Sequence, residues 1–171
     1  MILFNKYLSL FATTAILLCI VSCKIYKFTD ASINPNIKTI KINQFTNTAP
    51  IQVSTLSTTL EQKLVNKFVR ESRLTFVKDN PDLEFSGNIV EYYIEPITIS
   101  GTETTAQNRL SIAIKVDFIN KIEPTKSFSQ IFRDGENFDA SRDITQVQDE
   151  LIEIILDRTI QNIFNKAFVN W

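Results

Sequence analysis

The sequence predicts an α+β two-layer sandwich: a mixed sheet of about four strands with two helices packed on one face, in the order β-α-β-β-β-α. Three patterns carry that expectation. Leu56, Leu60, Leu64 and Phe68 recur every four residues, and a broad apolar face runs from Gln146 to Phe168. Between these stretches, Leu110, Ile112, Ile114, Val116 and Phe118 alternate with Ser111, Ala113, Lys115 and Asp117. The first two patterns have the period of helices, and the third has that of a strand buried on one face. A chain of 171 residues is long enough for one compact domain.

The elements follow in chain order. Thr39 to Phe45 alternates as a strand with Ile40 and Ile42 on one face, and Asn47 to Val53 carries Pro50 and reads as a loop. Ser57 to Glu71 is the first helix, with Val65 and Val69 widening its apolar stripe. Ser57 or Thr58 can cap it, and Thr58 with Glu61 has capping-box spacing. Arg73 to Val77 is a short strand, followed by a turn at Asp79-Asn80-Pro81-Asp82. Leu83, Phe85 and Ile89 share one strand parity, whereas Val90, Tyr92 and Ile94 share the other, so a bulge or strong twist is expected after Gly87.

Pro96 to Asn108 reads as a long connection, and Lys126 to Phe132 as the last strand. Asp134 to Asp143, with its Asp134-Gly135 pair, reads as a polar loop. The closing helix has Thr145 and Gln148 at cap spacing, Asp149 and Glu150 in its first turns and Lys166 near its end, as the helix dipole favours.

Composition removes whole classes of function. There is no His, which excludes Ser-His-Asp and Cys-His arrangements and His-based metal sites. A formal net charge of -1 gives no basic surface for nucleic acid, so no nucleic-acid partner is expected. Gly87, Gly101 and Gly135 are isolated, with no phosphate-binding loop, dinucleotide fingerprint or nucleophile elbow around them. Asp149, Glu153 and Asp157 share a helix face at successive i,i+4 positions. Paired carboxylates can hydrolyse glycosides, but same-face acids on a helix are far more often an exposed surface.

The amino terminus sets the compartment. Lys6 precedes an almost wholly apolar stretch from Tyr7 to Val21, which is short of the roughly 20 residues of a membrane span and reads as a secretory signal peptide. Its end, Ile20-Val21-Ser22-Cys23, resembles a bacterial lipobox. In that class the chain is cut between Ser22 and Cys23, the Cys23 thiol carries a covalent diacylglycerol, and the new amino group is open to N-acylation. Residues 1–22 are thus read as signal, 23–36 as a lipidated tether and 37–171 as one domain; no other cofactor is expected. The mature segment keeps 149 residues (171 minus 22) and no free thiol, with 17 basic and 19 acidic side chains. Each buried methylene of the lipid contributes roughly 0.8 kcal/mol, so several acyl chains hold firmly.

Binding residues are sought among the cations. Arg109 and Lys115 lie on the side of their strand opposite the apolar row, and Arg133 lies near a strand end. Such groups make strong charge-assisted bonds to phosphate, which makes the three candidates for contact with an anionic glycolipid. The terminal Trp171 is expected either to fold back on the domain or to anchor a partner.

A family resemblance joins these pieces. Tyr26-Lys27-Phe28-Thr29 with Ala31-Ser32-Ile33, Thr39-Ile40-Lys41-Ile42, Arg73-Leu74-Thr75-Phe76-Val77, Asn108-Arg109-Leu110-Ser111-Ile112 and Ile163-Phe164-Asn165-Lys166-Ala167-Phe168-Val169-Asn170-Trp171 resemble the lipopolysaccharide-assembly lipoprotein LptE in its Bacteroidota form. The resemblance implies a non-enzymatic lipoprotein of the outer membrane, anchored through Cys23, facing the periplasm and occupying the lumen of an LptD-type β-barrel. It implies a plug that helps this barrel assemble and takes part in delivering lipopolysaccharide to the outer leaflet. Lipopolysaccharide contact at Arg109, Lys115 and Arg133 is assigned from charge and placement, because no family motif carries it over by position. Two other readings compete: a free periplasm-facing lipid-binding lipoprotein, with an apolar cavity around Phe85, Ile112, Ile114 and Ile155, and a hydrolase of envelope sugars, with two poised acids in a cleft.

Overall fold

A computed structural model of the chain describes residues 33–97 and 106–169. Its elements are β1 (Thr39–Ile42), β2 (Thr46–Asn47), α1 (Leu56–Glu71), β3 (Thr75–Phe76), β4 (Leu83–Ile97), β5 (Gln107–Asn120), β6 (Phe128–Asp139) and α2 (Ile144–Phe168). The sheet is mixed, as expected, but has six strands instead of about four. Its order is β3-β1-β4-β5-β6, and β2 pairs with β4 further along the edge that β1 occupies. The β1, β2 and β3 pairings are parallel, whereas β4, β5 and β6 form an antiparallel meander. The strand expected from Thr39 to Phe45 thus ends at Ile42, and after a break a second short strand, β2, forms at Thr46–Asn47 where the loop was expected to begin.

The helix stripes are buried where their period puts them. Leu56, Leu60, Leu64 and Phe68 of α1 are buried, while Val69 points to solvent at 56% exposure and does not widen the stripe. On α2, Leu151, Ile152, Ile155, Ile160, Ile163, Phe164, Ala167 and Phe168 are buried, but Ile154 is exposed. Phe68 is a hub of the core: its ring centroid lies 4.8 Å from Phe85, 5.4 Å from Phe164 and 5.5 Å from Phe168. Each contact is edge-on, the arrangement that ring quadrupoles favour.

Capping differs from both sequence expectations. Asp143 caps α2, accepting from the Thr145 backbone N–H at 2.9 Å, so Thr145 is the first-turn partner and not the cap. The α1 terminus begins after Thr55 without a side-chain cap. Glu61, assigned by its spacing to a capping box, instead accepts from the Phe45 backbone N–H at 2.7 Å and ties α1 to the break between β1 and β2. Asp82 makes a similar tie: one carboxylate oxygen accepts from the Lys38 and Thr39 N–H groups at 2.8 and 2.9 Å. These bonds lock the start of β1 to the start of β4 and hold the Asp82 carboxyl below its ordinary range.

The change of parity in β4 is a bulge. The β4–β5 register slips between Ile89 and Glu91, leaving Val90 as the extra residue, and Ile89 and Tyr92 both stay buried. The connection after β4 is shorter than expected, because Pro96 and Ile97 still pair with Asn108 and Gln107. The larger correction is at Asp134-Gly135, which is strand and not loop: β6 runs unbroken to Asp139, and Gly135 pairs with Ser111. A Cβ on Gly135 would come within 2.7 Å of the Leu110 carbonyl oxygen, so a glycine is needed there for close strand approach rather than for a turn. Lys126 ends the short 3-10 turn Pro124–Lys126 before the strand begins. The connection at residues 98–105, the lipobox Cys23, the cleavage site at Ser22 and the terminal Trp171 lie outside the described residues.

Candidate functional site

Both helices cover the same side of the sheet, which leaves the opposite side open. Strand alternation assigns side chains to each. On the covered side Leu110, Ile112, Ile114, Val116 and Phe118 are all buried. The open side carries Glu91, Tyr93 and Glu95 from β4, Arg109 to Ile119 at odd positions of β5, and Ser129, Ile131, Arg133 and Asn137 from β6. The β4 bulge is what turns Glu91 and Tyr93 outward.

The three sequence-selected cations share this face. Arg133 binds Glu91 through two hydrogen bonds, Nε to Oε2 at 2.9 Å and Nη2 to Oε1 at 2.5 Å. The Arg133 hydrogen bonds hold the Glu91 carboxyl below its ordinary range. Arg109 Nη1 donates to Asn137 Oδ1 at 2.8 Å. Lys115 is 3.9 Å from Asp117, whose other partner is the Ser129 hydroxyl. Arg109 and Arg133 do not form one cluster: Arg133 pairs with Ala113, four residues along β5 from Arg109, or roughly 13 Å at the rise of a strand.

The middle of this face is drier than alternation alone predicts. Ser111 and Ala113 are 4% and 0% exposed although they point away from the helices. Ala113 has Glu91 on one side and Arg133 on the other in register, and their ion pair bridges the small residue. Exposed Tyr93, Ile119 and Ile131 give the same face apolar spots. This surface offers mixed, internally balanced contacts.

The acidic row of α2 is also answered from within the fold. Lys63 of α1 reaches Glu153 at 2.5 Å and Asp157 at 2.6 Å, linking the two helices. Burial pulls the Lys63 ammonium down, but bonds to the two acids outweigh it and its pKa rises. These carboxylates are therefore partners in an interhelical bridge and not a poised acid pair. Among the described residues, no group of three or more acids, His or Cys is placed to hold a metal ion.

Sequence reasoning missed Arg158. This side chain leaves α2 and binds Asp134 Oδ2 at 2.6 Å, Glu136 Oε2 at 2.6 Å and the Gly135 carbonyl oxygen at 3.1 Å. Bonds to the two acids raise its pKa further. The Asp134-Gly135 turn signal masks this contact, because the alternation that turns Asp134 and Glu136 toward the helices has meaning only once the segment is strand.

A family model described as "LptE: Lipopolysaccharide-assembly" matches residues 37–167. No curated protein matches the chain. Among solved structures, a hypothetical protein from Chlamydia trachomatis is similar with a TM-score of 0.53 at 9% identity, covering 78% of this chain and 99% of that one. A protein from Xanthomonas campestris gives a TM-score of 0.53 at 12% identity, covering 80% and 89%. At these identities the likeness is one of fold.

Proposed function

We propose, from the premise that this chain belongs to the LptE lipopolysaccharide-assembly family, that it is an outer-membrane lipoprotein plugging an LptD-type β-barrel. Members of this family are non-catalytic, and the chain is a non-enzymatic component of lipopolysaccharide assembly. In the proposed role the Cys23 lipid, a covalent diacylglycerol, holds the domain on the periplasmic side. The domain enters the barrel lumen, helps the barrel assemble and assists delivery of lipopolysaccharide to the outer leaflet. The quoted sequence stretches favour the Bacteroidota type. The lipid anchor would raise the effective concentration of the domain near its barrel.

One observation favours a plug over a lipid carrier. Phe85, Ile112, Ile114 and Ile155, the residues that would line a carrier's cavity, are at most 1% exposed and lie in one packed core. A filled two-layer body with a mixed polar open face suits a polar barrel lumen. On that face Arg109, Lys115 and Arg133 are the proposed lipopolysaccharide contacts. Each would exchange its present partner for a phosphate oxygen, a stronger charge-assisted acceptor than the Asn137 amide that Arg109 now uses.

The test is a mild-detergent pull-down of the tagged full-length protein from its native outer membrane, read by mass spectrometry. A near-stoichiometric LptD-type barrel is the expected result. Recovery of the protein alone, with lipid verified on Cys23, would overturn the plug and favour the free lipid-binding lipoprotein.

A further inference from the structure

Among the described residues, no strand pairs with the outer edge of β6, and that edge is of unequal character. Gly135 turns its backbone away from β5: its N–H donates to Asp134 Oδ1 at 2.7 Å, and its carbonyl accepts from Arg158 at 3.1 Å. The pairing of β6 with β5 has no register slip, so the alternation of an antiparallel ladder gives Ser129, Ile131 and Arg133 the same outward backbone direction. Around Gly135 the chain therefore blunts its own edge, one of the devices that keep edge strands from pairing. From Ser129 to Arg133 no such cap is present among the described residues, and Ile131 is 50% exposed.

A groove of about 420 Å³ runs beside this uncapped stretch, between Gln130–Arg133 of β6 and Thr159, Asn162, Asn165 and Lys166 of α2. Its lining includes Lys166 and no carboxylate, while the Arg133 guanidinium is paired with Glu91 on the open face. Thr159 is 2% exposed, and its hydroxyl has no hydrogen-bond partner among the described residues, an uncommon state for a buried polar group. Open backbone groups, a polar helix wall and an unsatisfied hydroxyl are the parts from which a strand-accepting groove is built.

We propose that the Ser129–Arg133 edge of β6, walled by α2 at Thr159, Asn162 and Lys166, accepts an extended acidic strand from a partner protein by backbone pairing. Charge decides the partner's character. A second copy paired edge to edge would bring another Lys166 to this groove, whereas an acidic segment complements the Lys166 charge, Arg133 being already paired with Glu91 on the open face. Alternate side chains of the added strand would face α2, where Asn162, Asn165 and Thr159 offer hydrogen bonds. The others would lie beside Ile131 on the open face.

The test uses the full-length lipidated protein in detergent and two synthetic eight-residue peptides, TEVEVEVT and its lysine counterpart TKVKVKVT, with amide hydrogen exchange as the readout. The acidic peptide should slow exchange at Ser129, Ile131 and Arg133 while leaving the already paired Gln130 and Phe132 unchanged. Ile131→Pro removes an outward donor that β5 does not use and should weaken binding at least tenfold, with Ile131→Thr keeping it. Should the proline variant not fold, Lys166→Glu serves instead, expected to weaken the acidic peptide and strengthen the lysine one. The proposal is overturned if the acidic peptide leaves these amides unprotected at about 1 mM, or if both peptides bind equally. Protection that grows with protein concentration alone would overturn it in favour of a second copy. None of these outcomes bears on the barrel pull-down, so the two readings stand or fall separately.

Discussion

Arg133 and Glu91 join across β5 directly over Ala113, although neither is on a strand adjacent to the other's. The small side chain between them permits this bridge. The pair turns the centre of an otherwise open sheet face into a covered one, and the 0% exposure of Ala113 follows. The shape of Ala113, more than the strength of an exposed ion pair, should therefore govern this region. Ala113→Leu is expected to lower the thermal midpoint more than Glu91→Gln does. Calorimetry of the two variants checks the ranking, and the reverse order would give the ion pair the leading part.

Phe68 should be the costliest single truncation on α1. It is fully buried and meets three aromatic rings, so Phe68→Ala is expected to cost about 3–5 kcal/mol. The adjacent Val69 is exposed, and Val69→Ala should change stability by no more than about 0.5 kcal/mol. Urea unfolding of both variants measures the contrast.

Gly87 should tolerate no side chain. A Cβ there would lie 2.1 Å from the Lys115 carbonyl oxygen and 2.8 Å from the Phe45 ring, and the backbone oxygen can move only with the β4–β5 ladder. Gly87→Ala is expected to destabilise by about 1–3 kcal/mol or more, the range of overpacked sites. Denaturant midpoints and the yield of soluble protein report it.

The Asp82 tie should make part of the stability depend on pH. Its carboxyl is held below its ordinary value of 3.8, chiefly by the Lys38 backbone N–H and then by Thr39. A depressed carboxylate stabilises fully above the unfolded value and loses that contribution as pH falls through the folded one. Asp82→Asn should cost about 1–2 kcal/mol at neutral pH. The gap between wild type and variant should narrow below pH 3.8. Urea unfolding across an acid series would show it, and a gap independent of pH would remove the charge from the explanation.

Much of the architecture was legible because it rests on local periodicity. The Leu56 to Phe68 row, the alternation of Leu110 to Phe118 and the parity change around Val90 are each set by which side chains must leave water. The very short β2 carries too few residues for any pattern to show, and its distant partner in β4 defines it, whereas β3 falls within the strand expected from Arg73 to Val77. Arg109 and Lys115 were legible only as residues on an outward face, and Arg133 only as one near a strand end, although it lies in the middle of β6. That Arg133 would meet Glu91, and Arg109 would meet Asn137, depended on the register of three strands.

By itself, then, the sequence determined the helix stripes, the buried strand, the bulge and the two-layer class, since burial of apolar side chains at period 2 or 3.6 needs no knowledge of partners. Only the tertiary structure decided that Asp134-Gly135 is strand, that Glu61 binds Phe45 instead of capping α1, and that Arg158 closes part of the β6 edge. In each case a turn or cap signal of two to four residues competed with strand pairing and long-range hydrogen bonds. The long-range partners prevailed because a backbone group buried by packing must find its bond wherever the fold provides one.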